Sequence, residues 1–131
     1  MTTEQQPVEL ILARGFVANL ATPGFLVDAE GRLVFYNDAA GALLGIRFEE
    51  AGLMGREEWG TRFQPVDAEG RTIPVDDLPL SRALRGHPTH ARLRIRAATG
   101  EESEIEATAL PILGTGGQKG ALALFWAREG A

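Results

Sequence analysis

Apolar residues first recur along the chain at helical spacing. Val8, Leu12, Phe16 and Leu20 stand four apart, behind a Thr3 and Gln6 pair of the capping-box type and Pro7, which suits a first turn. This predicts a helix from Pro7 to Leu20. Leu10, Ile11, Ala13 and Val17 extend its apolar surface around most of the circumference, with Glu9, Arg14 and Asn19 as the polar breaks. A helix that is apolar nearly all round needs cover on more than one side. The domain supplies one cover, and a second copy of the chain could supply the other.

Thr22, Pro23 and Gly24 end that helix, and the pattern becomes β-rich at Phe25 to Asp28 and Leu33 to Tyr36, around a turn in which Gly31 takes a positive φ. Asn37 and Asp38 can cap a short helix from Ala39 to Leu44, and Gly45 supplies its left-handed stop. Phe48 to Phe63 combines Glu-rich turns, three glycines and Leu53, Met54, Trp59 and Phe63, as expected of short helices lying over a sheet. The hexapeptide Val27 to Arg32 recurs at Val66 to Arg71 and reads as reused turn chemistry. A further helix is predicted over residues 77–85, from the acidic start at Asp76 and Asp77, the Leu80 and Leu84 stripe, and Arg82 and Arg85 ahead of Gly86.

From His90 the period is two. A hairpin centred near Thr99 would set Arg92 opposite Glu106, Arg94 opposite Glu104 and Arg96 opposite Glu102, with Leu93 meeting Ile105 on the other face. Exposed pairs of this kind stabilise by only ~0.2 to 1 kcal/mol each, so their main effect is on register. A glycine-rich loop is expected over Gly114 to Gly120. The run Ala121 to Trp126 is apolar at every position, which predicts a central strand covered on both faces, by interior helices on one side and the N-terminal helix on the other.

Composition removes several classes of function. The 131 residues are enough for one domain that buries roughly two thirds of its unfolded surface. The formal charge of -5 repels phosphate backbones, which argues against nucleic acid, and no run approaches the ~20 apolar residues that cross a bilayer. Without a basic, hydrophobic leader in Met1 to Gln6, the expected location is cytoplasmic. Cysteine is absent, which excludes disulfides, thiolate nucleophiles and zinc-thiolate sites. Ser81 and Ser103 sit in no nucleophile motif, and the pairs Asp76 with Asp77 and Glu49 with Glu50 read as helix N-terminal charges. His87 and His90 flank Pro88 and read as turn or surface residues; a haem or metal role would require one to enter an apolar pocket. Gly114 to Gly120 lacks the spacing of a phosphate-binding loop. Phe25, Phe35, Tyr36, Trp59, Phe63, Phe125 and Trp126 can either fill a core or line a cavity.

The stretch Gly24 to Asn37 resembles the opening hairpin of the PAS family, Ala39-Ala40 and Leu43-Leu44-Gly45 match that family's style, Leu78 to Gly86 resembles its longer helix, and Gly120 to Trp126 its closing strand. The resemblance spans about residues 23–128, between an N-terminal flanking helix at 1–22 and a short tail at 129–131. It implies an α+β fold: a five-stranded antiparallel sheet with short helices on one face.

It also implies a bacterial-type signal-transduction module that senses, engages protein partners and forms a homodimer without catalysing a reaction. Such modules often dimerise through a helix outside the core, here by way of Val8, Leu12, Phe16 and Leu20. They sometimes hold haem, flavin or a fatty acid between sheet and helices, where the expected lining is Asn37, Leu44, Trp59, Phe63, Leu80, Leu84 and Ile95. The missing cysteine excludes both flavin-adduct and hydroxycinnamate photocycles, and His87 lies just past the helix that usually supplies a haem ligand. The remaining alternative, a small α+β pocket enzyme, needs a buried acid or base, and no carboxylate holds a clearly apolar inward position. Family members commonly continue through a helical linker into an output domain, so the expectation is a stand-alone sensor or a sensory piece of a longer protein.

Overall fold

The computed structural model describes residues 7–128, which places the Thr3 and Gln6 capping pair and the 129–131 tail outside the described residues. Helix α1 (Val8–Ala18) precedes the hairpin strands β1 (Gly24–Asp28) and β2 (Leu33–Tyr36). Three short helices follow: α2 (Asp38–Leu44), α3 (Phe48–Ala51) and α4 (Arg56–Arg62). A 3-10 turn at Val75–Asp77 leads into α5 (Pro79–Leu84), and the chain closes with β3 (Thr89–Arg96), β4 (Glu102–Gly114) and β5 (Gly117–Ala127). All neighbouring strands are antiparallel, in the order β2-β1-β5-β4-β3. The apolar closing strand is therefore the middle of the sheet, as its unbroken hydrophobicity requires.

The two copies of the hexapeptide fold alike. Asp28 Oδ1 accepts from the N–H groups of Glu30 (3.0 Å) and Arg32 (2.9 Å), and Asp67 Oδ1 accepts from those of Glu69 and Arg71, both at 2.9 Å. In each copy the arginine also reaches back to the glutamate, Arg32 to Glu30 and Arg71 to Glu69. These are Asx turns, in which a short acidic side chain takes the place of a backbone acceptor. Gly31 and Gly70 occupy the left-handed region at φ 84° and 82°.

The β3–β4 register agrees with the charge pattern: Arg92, Arg94 and Arg96 pair with Glu106, Glu104 and Glu102, and Leu93 with Ile105. The ion pairs are fewer than that pattern suggests. Arg96 binds Glu102, whereas Glu106 is taken by its diagonal neighbour His90 at 2.9 Å, and Arg92 and Arg94 form no ion pair among the described residues. The expected loop over 114–120 is also corrected. β4 runs to Gly114 and β5 starts at Gly117, so the connection is a tight turn, with Gly116 and Gly117 at φ 87° and 124°. The helix expected over 77–85 shortens to Pro79–Leu84, because Pro79 has no N–H to give a preceding turn and serves at the first helical position.

The main core lies between the sheet's inner face and α2 to α5, and includes Val27, Leu33, Tyr36, Met54, Trp59 and Ala121. Phe25 stacks on Tyr36, with ring centroids 5.2 Å apart, and meets Phe125 edge-on at 5.1 Å. A second, smaller cluster on the outer face joins Leu10 of α1 to Leu26 and Val34. There α1 lies against bare backbone: a Cβ at Gly24 would come within 3.0 Å of Val17, and one at Gly120 within 2.9 Å of Leu10.

Candidate functional site

The sheet supplies one wall of an apolar cavity through period-two alternation. Phe25 from β1, Leu93 and Ile95 from β3, Ile105 and Ala107 from β4, and Ala123 and Phe125 from β5 all face inward. The opposite wall comes from Leu44 at the end of α2, Trp59 of α4, Phe63 and Pro65 just after it, and Leu78, Pro79 and Leu80 around the start of α5. The cavity volume is about 90 Å³, and every lining residue is buried. Trp59 is held in its wall by donating Nε1–H to the Gly31 carbonyl at 2.8 Å.

Five of the seven expected lining residues, Leu44, Trp59, Phe63, Leu80 and Ile95, meet in this cavity. Asn37 and Leu84 do not. Leu84 packs beside Gly31 at the β1–β2 turn. Asn37 is committed to backbone: Oδ1 accepts from the N–H of Gly24 (3.1 Å) and of Ala40 (2.9 Å), capping α2. Its Nδ2 donates to the carbonyls of Val17 and Thr22, both at 2.9 Å, and more weakly to Leu20 at 3.4 Å. One side chain thus joins the end of α1, the start of β1 and the start of α2. Leu93, Ile105 and Phe125 also line the cavity, and strand alternation alone places them on the sheet's inner face.

The histidines lie elsewhere. His87 is exposed beyond α5, and His90 is exposed on β3, where it pairs with Glu106 and its ring lies 6.0 Å from that of Trp126. Neither reaches the cavity wall. No grouping of three or more His, Cys, Asp or Glu with metal-holding geometry occurs among the described residues. A separate groove of about 270 Å³ beside β3 has a mixed lining, in part Thr61, Gln64, Thr72, Arg94, Arg96 and Glu102.

On the far side of the sheet, Val8, Ile11, Leu12 and Phe16 of α1 are each more than half exposed, at 60%, 56%, 68% and 59%. Leu20, the fourth expected interface residue, is half-buried past the end of the helix. Leu110 of β4 and Trp126 of β5 add exposed apolar surface on the sheet's outer face.

The same arrangement recurs in solved structures. The PAS domain of an HTR-like protein from Haloarcula marismortui superposes with a TM-score of 0.60 at 18% identity, covering 90% of both chains. The PAS domain of BvgS from Bordetella pertussis gives 0.61 at 17% identity, covering 93% of this chain and 87% of the other. The chain has the PAS fold. The LOV protein of Rhodobacter sphaeroides, another structure with this PAS arrangement, gives 0.70 at 18% identity over 94% of this chain and 69% of that one. No protein-family model and no curated protein sequence matches the chain, so the PAS assignment is one of fold.

Proposed function

We propose that the chain is a PAS sensory and protein-interaction module in signal transduction, that it forms a homodimer through α1 packed against the outer face of the sheet, and that it has no catalytic role. The observation that carries this reading is the uncovered stripe Val8, Ile11, Leu12 and Phe16, together with Leu110 and Trp126 exposed on the sheet's outer face. Exposed apolar surface of this kind marks an interaction site, and each large apolar side chain contributes about 1.5–3 kcal/mol when fully buried. A second copy presents the same stripe and the same sheet face, which is the self-complementarity that a two-fold interface needs. No helix among the described residues is long and apolar enough to cross a membrane.

Size-exclusion chromatography with light scattering tests the proposal. Wild type should elute at twice the chain mass, and Leu12→Glu or Phe16→Glu at the chain mass with an unchanged circular dichroism spectrum. A wild-type monomer, or variants that remain dimeric, would count against it.

A second reading, a small-ligand sensor, is favoured by the apolar cavity and by the five expected residues that line it. The groups that other PAS members hold do not fit these residues. The cavity wall has no imidazole for haem iron, and no polar side chain free to pair with the heteroatoms of a flavin. The same wall offers no acid, base or nucleophile, which supports the non-catalytic reading.

A further inference from the structure

The cavity wall defines a ligand class more narrowly than the fold does, an inference that rests on the small-ligand reading above. Every lining residue is apolar, and the one N–H on a lining side chain, that of Trp59, is already satisfied by Gly31. Ser81 Oγ is buried on α5 without a hydrogen-bond partner, but Ser81 is not part of the wall, and Asn37 is saturated by backbone. A ligand carrying a charge or a hydrogen-bonding group would therefore be desolvated with nothing to pair with, which opposes binding.

Volume sets the second limit. Dry apolar cavities of roughly 150 Å³ take up benzene or xenon. The present cavity, at about 90 Å³, places benzene near the upper end of what enters without rearrangement.

We propose that this cavity is a binding site for small, uncharged molecules without hydrogen-bonding groups, namely apolar gases and volatile hydrocarbons up to about the size of benzene, and that it excludes haem, flavins and long-chain fatty acids. Its selectivity comes from what the wall lacks and from its size: a polar competitor is rejected by burial without a partner, and a larger one by the small volume between the sheet and the helices.

Amide NMR spectra of the full chain, recorded with benzene, pressurised xenon, flavin mononucleotide, haemin or palmitate, test this directly. Benzene and xenon should move the resonances of Leu44, Trp59, Leu80, Ile95 and Phe125, and benzene should raise the melting temperature by roughly 4–8 °C at ten times its Kd. The other three should leave those resonances in place. Ala123→Leu fills the void and should abolish both responses. Leu80→Ala, which keeps the test alive if the first variant fails to fold, should admit naphthalene where wild type does not. Naphthalene entering wild type would overturn the size limit. Flavin, haemin or palmitate moving the wall resonances while benzene and xenon do not would overturn the ligand class and leave the sensor reading standing. A well-dispersed wild-type spectrum that no probe perturbs would overturn both.

Discussion

Replacing Asn37 by alanine should detach α1 from the domain. Removing an N-cap side chain costs about 1 kcal/mol, and here the Gly24 N–H and the carbonyls of Val17 and Thr22 lose their partner in the same step. At about 1 kcal/mol for each of these, the total is roughly 4 kcal/mol, a large part of the ~5–15 kcal/mol that holds a domain together. For a chain of this size the melting temperature should fall by roughly 10–20 °C. Urea denaturation followed by tryptophan fluorescence gives the free energy, and hydrogen exchange should show α1 amides losing protection before those of β5. Asn37→Asp separates the two halves of the side chain. It keeps the acceptor for Ala40 and Gly24 but turns a carboxylate towards carbonyl oxygens in a buried site, so its folded pKa must rise above the ordinary ~3.9. The variant should then be least stable at neutral pH and should recover as pH falls towards 4, because between the two pKa values the folded state binds more protons. A loss below 1 kcal/mol for Asn37→Ala, or an Asp variant as stable as wild type at pH 7, would refute the assignment of Asn37 as the joint between α1 and the core.

Gly120→Ala places a methyl group against the Val27 carbonyl and within 2.9 Å of Leu10, and should cost at least about 2–3 kcal/mol in denaturant titrations. Burial pushes the Tyr36 hydroxyl up to about 12 while it donates to the Ile46 carbonyl. Its contribution is therefore complete below pH 10 and is lost as pH rises towards 12; Tyr36→Phe should flatten that alkaline loss in a stability-against-pH series. The Arg71 backbone N–H, with help from that of Glu69, holds the Asp67 carboxyl below its ordinary value. The stability it provides is present above pH 4 and fades as pH falls through the lowered value, so Asp67→Asn should reduce the acid dependence of unfolding. Trp59→Phe gives up the bond to Gly31 and should lower stability by about 1 kcal/mol, read from the urea midpoint.

Much of this fold could be read from the sequence because its rules are local. The Asx turns, the Asn37 cap, the Gly45 stop at φ 78° and the Arg–Glu register are each decided by residues within a few positions of one another or directly across a hairpin. The central place of β5 followed from an unbroken apolar run. The pattern is silent where partners are distant. The glycines at 114–120 suggest a loop, yet β4 continues through Pro111 to Gly114; Pro111 lies beyond the last pairing with β3 at Ala109, where a missing N–H costs the β3–β4 ladder nothing. Asn37 is expected in the cavity lining, but its bonds to Val17 and Thr22 reach 20 and 15 residues back and leave no signal in the pattern. An inward alanine such as Ala107 or Ala123 gives the same pattern whether it lines a cavity or fills a core, until the opposing helices are placed.

The two glycines beneath α1 have a mechanical consequence. Leu10 and Val17, two turns apart, stand on the main chain of β5 and β1 with no intervening side chain to absorb a displacement. Such a seat is stiff: a tilt or slide of either strand is handed to the helix almost undiminished, much as a lever follows its fulcrum. A domain built this way can report small movements of its sheet at its outer surface without unfolding any part of itself.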